Sequence, residues 1–139
     1  MSGKRFVLDT SALLAWLEGE DGVERVRELL RGDDEVILPW PVLMELFCIT
    51  ARSSGEQVAF QRYASVKQLP VTLAEQMDEP LLLAAARFKA QFPISIADAM
   101  IAAFASHLGA TLVHKDPEYD ALKGKFAMES LPYKPQAGA

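Results

Sequence analysis

The chain has 139 residues, with 14 basic and 19 acidic side chains and a formal net charge of −5. That length fits one domain of about 100–150 residues, which buries roughly two-thirds of its unfolded surface and needs neither disulfides nor a structural metal for its core. Half of the residues are hydrophobic and 24% are charged, which excludes a disordered or low-complexity protein. The acidity counts against a passive nucleic-acid binder with a basic face, but not against an enzyme that meets nucleic acid through metal ions.

The apolar runs Leu81 to Ala86 and Ala99 to Ala105 fall far short of the roughly 18 residues that span a bilayer. Lys4 and Arg5 precede only Phe6 to Leu8 before Asp9 interrupts, so no signal-peptide core is expected. A single cysteine, Cys48, rules out an intramolecular disulfide and points to a reducing, cytoplasmic setting.

Strands and helices alternate along the chain. Arg5 to Leu8 is a compact apolar strand, and Thr10 to Leu17 reads as a helix opening directly from it. Gly19 and Gly22 punctuate, and an amphipathic helix follows over Val23 to Leu30. Glu35 to Leu38 is a second strand, and Pro41 suits the first turn of a helix reaching Arg52, because its missing amide costs nothing there. The spacing of Val58, Tyr63, Val66 and Leu69 predicts another helix, and Val71 to Leu73 a short strand. Ala74 to Phe92 carries helix formers with Pro80 as a kink or boundary. Ser95 starts a helix that ends near Gly109, a good residue for a helix terminus. Thr111 to His114 is a strand, Glu118 to Leu122 a helical turn and Phe126 to Glu129 a last strand. Such alternation implies an α/β fold with a parallel sheet covered on both faces, whose ligands bind beyond the carboxyl ends of the strands.

Four carboxylates stand where carboxylates are costly. Asp9 is the one charged residue in Phe6 to Leu17, Glu45 the one in Ile37 to Ala51, and Asp98 the one in Ile94 to Ser106. Asp116 follows the apolar strand Thr111 to Val113 almost at once. An isolated buried carboxylate costs several kcal/mol or is forced neutral, and few basic residues lie near these segments to pair with them. A bound cation would satisfy all four. Oxygen donors without thiolate or obligatory imidazole suit Mg²⁺ or Mn²⁺ rather than zinc.

Each acid also has a local reading. Asp9 can cap the helix after the first strand. Asp98 stands three residues after Ser95, the spacing of a capping box. Glu45 can reach water from a helix edge, and Asp116 before Pro117 is an ordinary turn residue. Taken singly the local readings hold; taken together and in this order they do not account for the pattern.

The segments VLDTSALLAWL (Val7 to Leu17), PVLMELFCI (Pro41 to Ile49), SIADAMIAAFA (Ser95 to Ala105) and LVHKDPEYDAL (Leu112 to Leu122) together resemble a PIN domain, and more narrowly the VapC-type toxins of bacterial toxin–antitoxin pairs. The resemblance spans nearly the whole chain. It implies a three-layer α/β/α sandwich with a central, mainly parallel sheet of four or five strands, formed by residues 1–131, with 132–139 as a soft tail. It makes Asp9, Glu45, Asp98 and Asp116 the catalytic acids and metal ligands, with Ser11 supporting the site and Asp120 as an auxiliary acid or the alternative to Asp116. One departure is His114, which stands where many relatives have Thr or Ser. The implied activity is Mg²⁺-dependent hydrolysis of RNA phosphodiester bonds, with Mn²⁺ able to substitute, by a cytoplasmic toxin with a small cognate antitoxin and a homodimeric assembly.

Other residues have bland readings beside sharper ones. His107 at a helix end favours the dipole. His114, spaced H-x-D with Asp116, is an extra ligand or phosphate contact only on a weak motif. Cys48 reads as a small buried hydrophobe. Lys115, Lys123 and Lys125 read as solvated surface or as contacts to an RNA backbone. Trp16 and Trp40 read as core or as a partner groove. Among competing functions, a haloacid-dehalogenase-type phosphatase needs a second Asp where this chain has Ser11, and a receiver domain needs an acidic pair that is missing from the first strand. A catalytically silent PIN-like scaffold that only binds a partner is the alternative from a different class.

Overall fold

The computed structural model describes residues 3–135. Five strands form one sheet in the order β3-β2-β1-β4-β5, every pair parallel. They are β1 (Arg5–Leu8), β2 (Glu35–Pro39), β3 (Thr72–Ala74), β4 (Thr111–His114) and β5 (Met128–Ser130). The connections are helical: α1 (Thr10–Glu18) and α2 (Val23–Arg31), α3 (Trp40–Ser54) and α4 (Glu56–Lys67), α5 (Glu79–Gln91) and α6 (Ile96–His107), then a 3-10 helix over Pro117–Leu122. The result is the α/β/α sandwich expected from the pattern of elements, with flanking helices on a central parallel sheet.

Topology fixes where a ligand can sit. From β1 the chain steps to β2 and β3 on one side, then crosses back through α5 and α6 to β4 and β5 on the other. The strand order therefore reverses between β1 and β4, and the crevice beyond their carboxyl ends is the switch point of the sheet. The register sets Leu8 opposite Val113, so Asp9 and the residues after His114 emerge side by side. Val7, Leu8, Leu112 and Val113 are buried, as a central parallel strand pair requires.

The main core joins both sides of the sheet through Leu13, Val26, Leu38, Leu46, Ile101 and Leu122, each worth roughly 1.5–3 kcal/mol when fully buried. A smaller cluster of Leu81, Ala85, Ala103 and Phe104 locks α5 to α6. Gly22, at φ 100°, opens α2 in the left-handed region, and a Cβ there would stand 3.0 Å from Leu131 Cβ. Any larger residue would strain the turn and lift the buried Leu131 from the core.

Several element boundaries move. Ala74 is the end of β3 rather than part of a helix, and α5 begins at Glu79, because Asp78 accepts the Leu81 N–H at 3.0 Å and Pro80 occupies a first-turn position. Helix α4 ends at Lys67, and Leu69 instead closes a turn onto Val66 O. The third strand covers Thr72–Ala74 instead of Val71 to Leu73. The last strand starts at Met128, while Phe126 leaves the strand to pack its ring 5.8 Å from that of Phe88. Of the tail expected over 132–139, residues 136–139 lie outside the described residues; Tyr133 and Lys134 bond to Asp120 and Glu20.

Candidate active site

Four elements deliver acids to the crevice. Asp9 leaves β1 in extended backbone and caps α1, its carboxylate taking the Ala12 N–H at 2.8 Å and the Ser11 hydroxyl at 2.7 Å. Ser11 Oγ in turn accepts the Lys115 N–H at 2.8 Å, which ties the loop after β4 to the start of α1. Glu45, in the second turn of α3, accepts the Thr10 hydroxyl at 2.6 Å. Thr10 and Ser11 thus fix one neighbouring carboxylate each.

Asp98 sits in the first turn of α6 and is 6% exposed. The expected capping box is half formed. Ser95 Oγ accepts the Asp98 N–H at 3.1 Å, but the Ser95 N–H donates to the carboxylate of Glu118, not to that of Asp98. Asp98 is thereby released from a capping role, and its Oδ1 accepts the hydroxyl of the buried Tyr119 at 3.1 Å. Asp116 caps the 3-10 helix through the Glu118 N–H at 2.9 Å.

Carboxylate oxygens of Asp98, Asp116 and Glu118 all lie within 4.8 Å of one another. Asp9, 2% exposed, adjoins this cluster: burial raises its pKa from 3.8 to about 7, the Ala12 and Ser11 hydrogen bonds oppose the rise, and the charges of Asp116 and Glu45 add to it. Asp98 is pushed to about 8 by burial first, then by its contact with Glu118 and the charges of Asp116 and Glu118, against the pull of the Tyr119 hydroxyl. Among the described residues, no lysine or arginine forms an ion pair with Asp9, Glu45, Asp98 or Asp116. An all-oxygen set of like charges that lacks a basic partner and resists ionisation fits a hard divalent cation.

The expected acids therefore converge in part as a tight cluster, Asp98 with Asp116, and in part as its flank, Asp9 with Glu45. Two members escaped the sequence reading. Glu118 and Tyr119 both belong to the run DPEYD, where the second acid two places after Asp116 and an aromatic between acids were the available signals. Asp120 does not join the cluster: it accepts the Tyr133 hydroxyl at 2.8 Å and lines a separate cavity.

The remaining expectations separate cleanly. Lys115 is not surface: it is 8% exposed, with Nζ donating to Asp21 O at 2.9 Å and 3.9 Å from Glu20. Lys125 lies over the Phe92 ring at 5.6 Å, and Lys123 stays exposed. Trp16 packs against the main core, whereas Trp40 lines an apolar groove of about 710 Å³ with Leu43, Met44, Phe47 and Phe60. Cys48 lines that groove too and is only half-buried, so it is not the enclosed residue expected. Among the described residues, no helix is long and apolar enough to cross a membrane.

Comparison with known proteins agrees with this architecture. The model of the PIN domain family matches residues 6–125. The structure of VapBC2 from Rickettsia felis, bound to a DNA fragment from its promoter, has a TM-score of 0.74 at 16% identity, over 92% of this chain and 99% of that one. DNA-bound VapBC from Salmonella typhimurium gives 0.71 at 20% identity, over 91% and 98%. VapC20 of Mycobacterium tuberculosis, a sarcin-ricin loop cleaving toxin, gives 0.68 at 19% identity, over 85% and 95%. At these identities the likeness is one of fold.

Proposed function

The chain belongs to the PIN domain family, and from that premise we propose that it is a metal-dependent endoribonuclease, hydrolysing RNA phosphodiester bonds as the toxin of a toxin–antitoxin pair. The observation that carries this reading is the convergence of carboxylates at the switch point of the sheet, with Asp9 and Asp98 buried and none of the acids ion-paired to a lysine or arginine among the described residues. Caps and turns explain each acid alone; they do not explain why acids that repel one another share one crevice.

Asp9, Glu45, Asp98 and Asp116 would hold the metal, Mg²⁺ with Mn²⁺ as a substitute. When bound, such an ion neutralises phosphate charge and lowers the pKa of a water nucleophile. The chain's own part is preorganisation. Ser11 and the Ala12 N–H hold the Asp9 carboxylate in one orientation, and Thr10 does the same for Glu45. Tyr119 orients Asp98 from the buried side by donating its hydroxyl to Oδ1. Glu118 keeps one oxygen on the Ser95 N–H and adds a further negative charge beside Asp98. No side-chain nucleophile is required.

The same reading implies a cytoplasmic protein with a small antitoxin partner and a homodimeric assembly. Two apolar surfaces support it: the Trp40–Phe60 groove, which begins one residue from Glu45 at the exposed Met44, and a second of about 460 Å³ that includes Leu82, Ile96 and Met100. An Arg or Lys of the antitoxin, set among the acids, would complement their charge.

The test is incubation with structured RNAs in Mg²⁺ or Mn²⁺, wild type beside Asp116→Asn. Cleavage is expected to vanish in EDTA and in the variant, while the metal-free variant melts at the same temperature as wild type or higher. Full activity in excess EDTA would end the metal-nuclease reading. An active but destabilised Asp116→Asn chain would remove that residue from the site.

A further inference from the structure

Across the loop 115–120 from the acids lies a second cavity of about 290 Å³, at the carboxyl ends of β4 and β5. Its walls include His114, Asp120, Lys123, Phe126, Ser130 and Tyr133. It combines aromatic faces with a small number of polar atoms, the usual make-up of a small-molecule site.

His114 is its unusual member. The side chain is 2% exposed, and its ring is fixed 4.9 Å from that of Tyr119 and 6.1 Å from that of Tyr133. Nδ1 accepts the Asp116 N–H at 3.3 Å, so in the neutral ring the proton is on Nε2. Nε2–H has no hydrogen-bond partner among the described residues. Nor is it sealed away: Thr50 Oγ1 is the one side-chain polar atom there both shut from solvent and without a partner. A buried ring thus lines the cavity and carries a donor that no described residue engages. Opposite in chemistry is Asp120, whose Oδ1 takes the Tyr133 hydroxyl at 2.8 Å and lies 3.8 Å from Lys123 Nζ, leaving Oδ2 as an unused acceptor.

A histidine donor and a carboxylate acceptor lining one cavity, with aromatic rings for stacking and a lysine, match the edge and face of an unpaired nucleobase. We infer that this cavity is a base-binding subsite, which takes the base of the nucleotide adjacent to the phosphate at the acids. The inference draws on the ribonuclease reading for the source of the base. Position follows from the chain itself: His114 and Asp120 belong to the segment that carries Asp116 and Glu118, so a strand passing the acids meets the cavity within one loop. The pairing of Nε2–H with Asp120 is met by every base, and the larger stacking face favours purines.

Two measurements test it on the full chain. In the first, the four nucleoside 5′-monophosphates are titrated in EDTA while the ring resonances of His114 and Tyr133 are followed by NMR; with only two histidines in the sequence, His107→Gln assigns the signal. Saturable shifts are expected, with purines binding more tightly. Tyr133→Ala is expected to weaken binding about tenfold, the scale of one lost stacking contact. Ser130→Trp, which fills the cavity from an exposed position, is expected to abolish it. Absence of shifts, or equal shifts in Ser130→Trp, overturns the subsite.

In the second, the bonds cut in a mixed RNA pool are mapped for wild type and Tyr133→Ala. A purine preference at one position beside the cut is expected, flattened in the variant. Cleavage without base preference, together with nucleotide binding, would make the cavity a site for free nucleotides and overturn its link to the strand. Nucleotide binding with no RNA cleavage at all would count against the ribonuclease reading and leave the base-binding chemistry standing.

Discussion

Helix α1 and helix α5 open on the same local device, an aspartate in extended backbone whose carboxylate takes the N–H three residues on, at 2.8 Å for Asp9 and 3.0 Å for Asp78. Their backbones nearly coincide, with φ −81° and ψ 178° against φ −76° and ψ 175°. Yet Asp78 is exposed at the surface, while Asp9 is buried at the end of a central strand, facing Asp116 and Glu45. Capping chemistry is therefore identical in both regions, and only the tertiary position makes one of them a candidate ligand. A cap motif neither supports nor excludes a catalytic role.

The sharpest break between the two regions is in activity. Asn caps a helix as well as Asp does, so Asp9→Asn and Asp78→Asn should both preserve the helix start. Cleavage of RNA in Mn²⁺ is expected to fall more than about 100-fold in Asp9→Asn, since even residues that only support a metal ligand cost 10–100-fold. Asp78→Asn should cleave like wild type. Equal rates in the two variants would reduce Asp9 to a cap.

Stability against pH separates them next. Asp9 and Asp98 hold their protons more tightly in the folded chain, with pKa values of about 7 and about 8. The stability linked to these groups is fully present below pH about 4 and is lost as the pH rises through 7 to 8. Thermal melts in EDTA should therefore show a falling Tm between pH 5.5 and 8.5, with Mn²⁺ flattening the slope. For Asp9, the rise from 3.8 to about 7 corresponds to up to about 4 kcal/mol. Asp9→Asn should recover part of that at pH 8.5 in EDTA.

A smaller effect is expected one step behind the acids. Tyr119→Phe keeps the buried ring but removes the hydroxyl that Asp98 Oδ1 accepts at 3.1 Å. Asp98 then lacks its orienting donor, and activity should fall about 10-fold, the lower end of the range for partners that orient a ligand. A rate unchanged by Tyr119→Phe would show that Asp98 is held by α6 alone.

The alternation of elements was legible because its signals are local: apolar strands of four or five residues, Pro41 at a helix start, Ser95 as a cap. The same locality explains what was misplaced. Helix formers continue without a break from Ala74, and only the Asp78 cap with Pro80 behind it decides where α5 starts. The candidate acids stood out by a negative signal, single charges within apolar runs, which reports burial without naming neighbours. Glu118 and Tyr119 gave no such signal, since DPEYD reads as a polar turn, and their place beside Asp98 depends on a crossover from α6 through β4. The burial of Lys115 is equally non-local: it arises from the α1–α2 loop, where Asp21 O and Glu20 receive it.

The smallest expected effect completes the comparison from the α5 side. Asp78 satisfies one of the orphan N–H groups at the start of α5, and nothing else in the described residues draws on its carboxylate. Asp78→Ala should cost about 1 kcal/mol, the usual loss for an N-cap, and Asp78→Asn should cost almost none of it. Chemical denaturation of both variants in EDTA measures this directly. A loss well above 2 kcal/mol for Asp78→Ala, or any fall in RNA cleavage for Asp78→Asn, would mean that the α5–α6 hairpin transmits its cap to the site. The contrast between the two aspartates would then be one of degree, with Asp98 on α6 as the residue through which it passes.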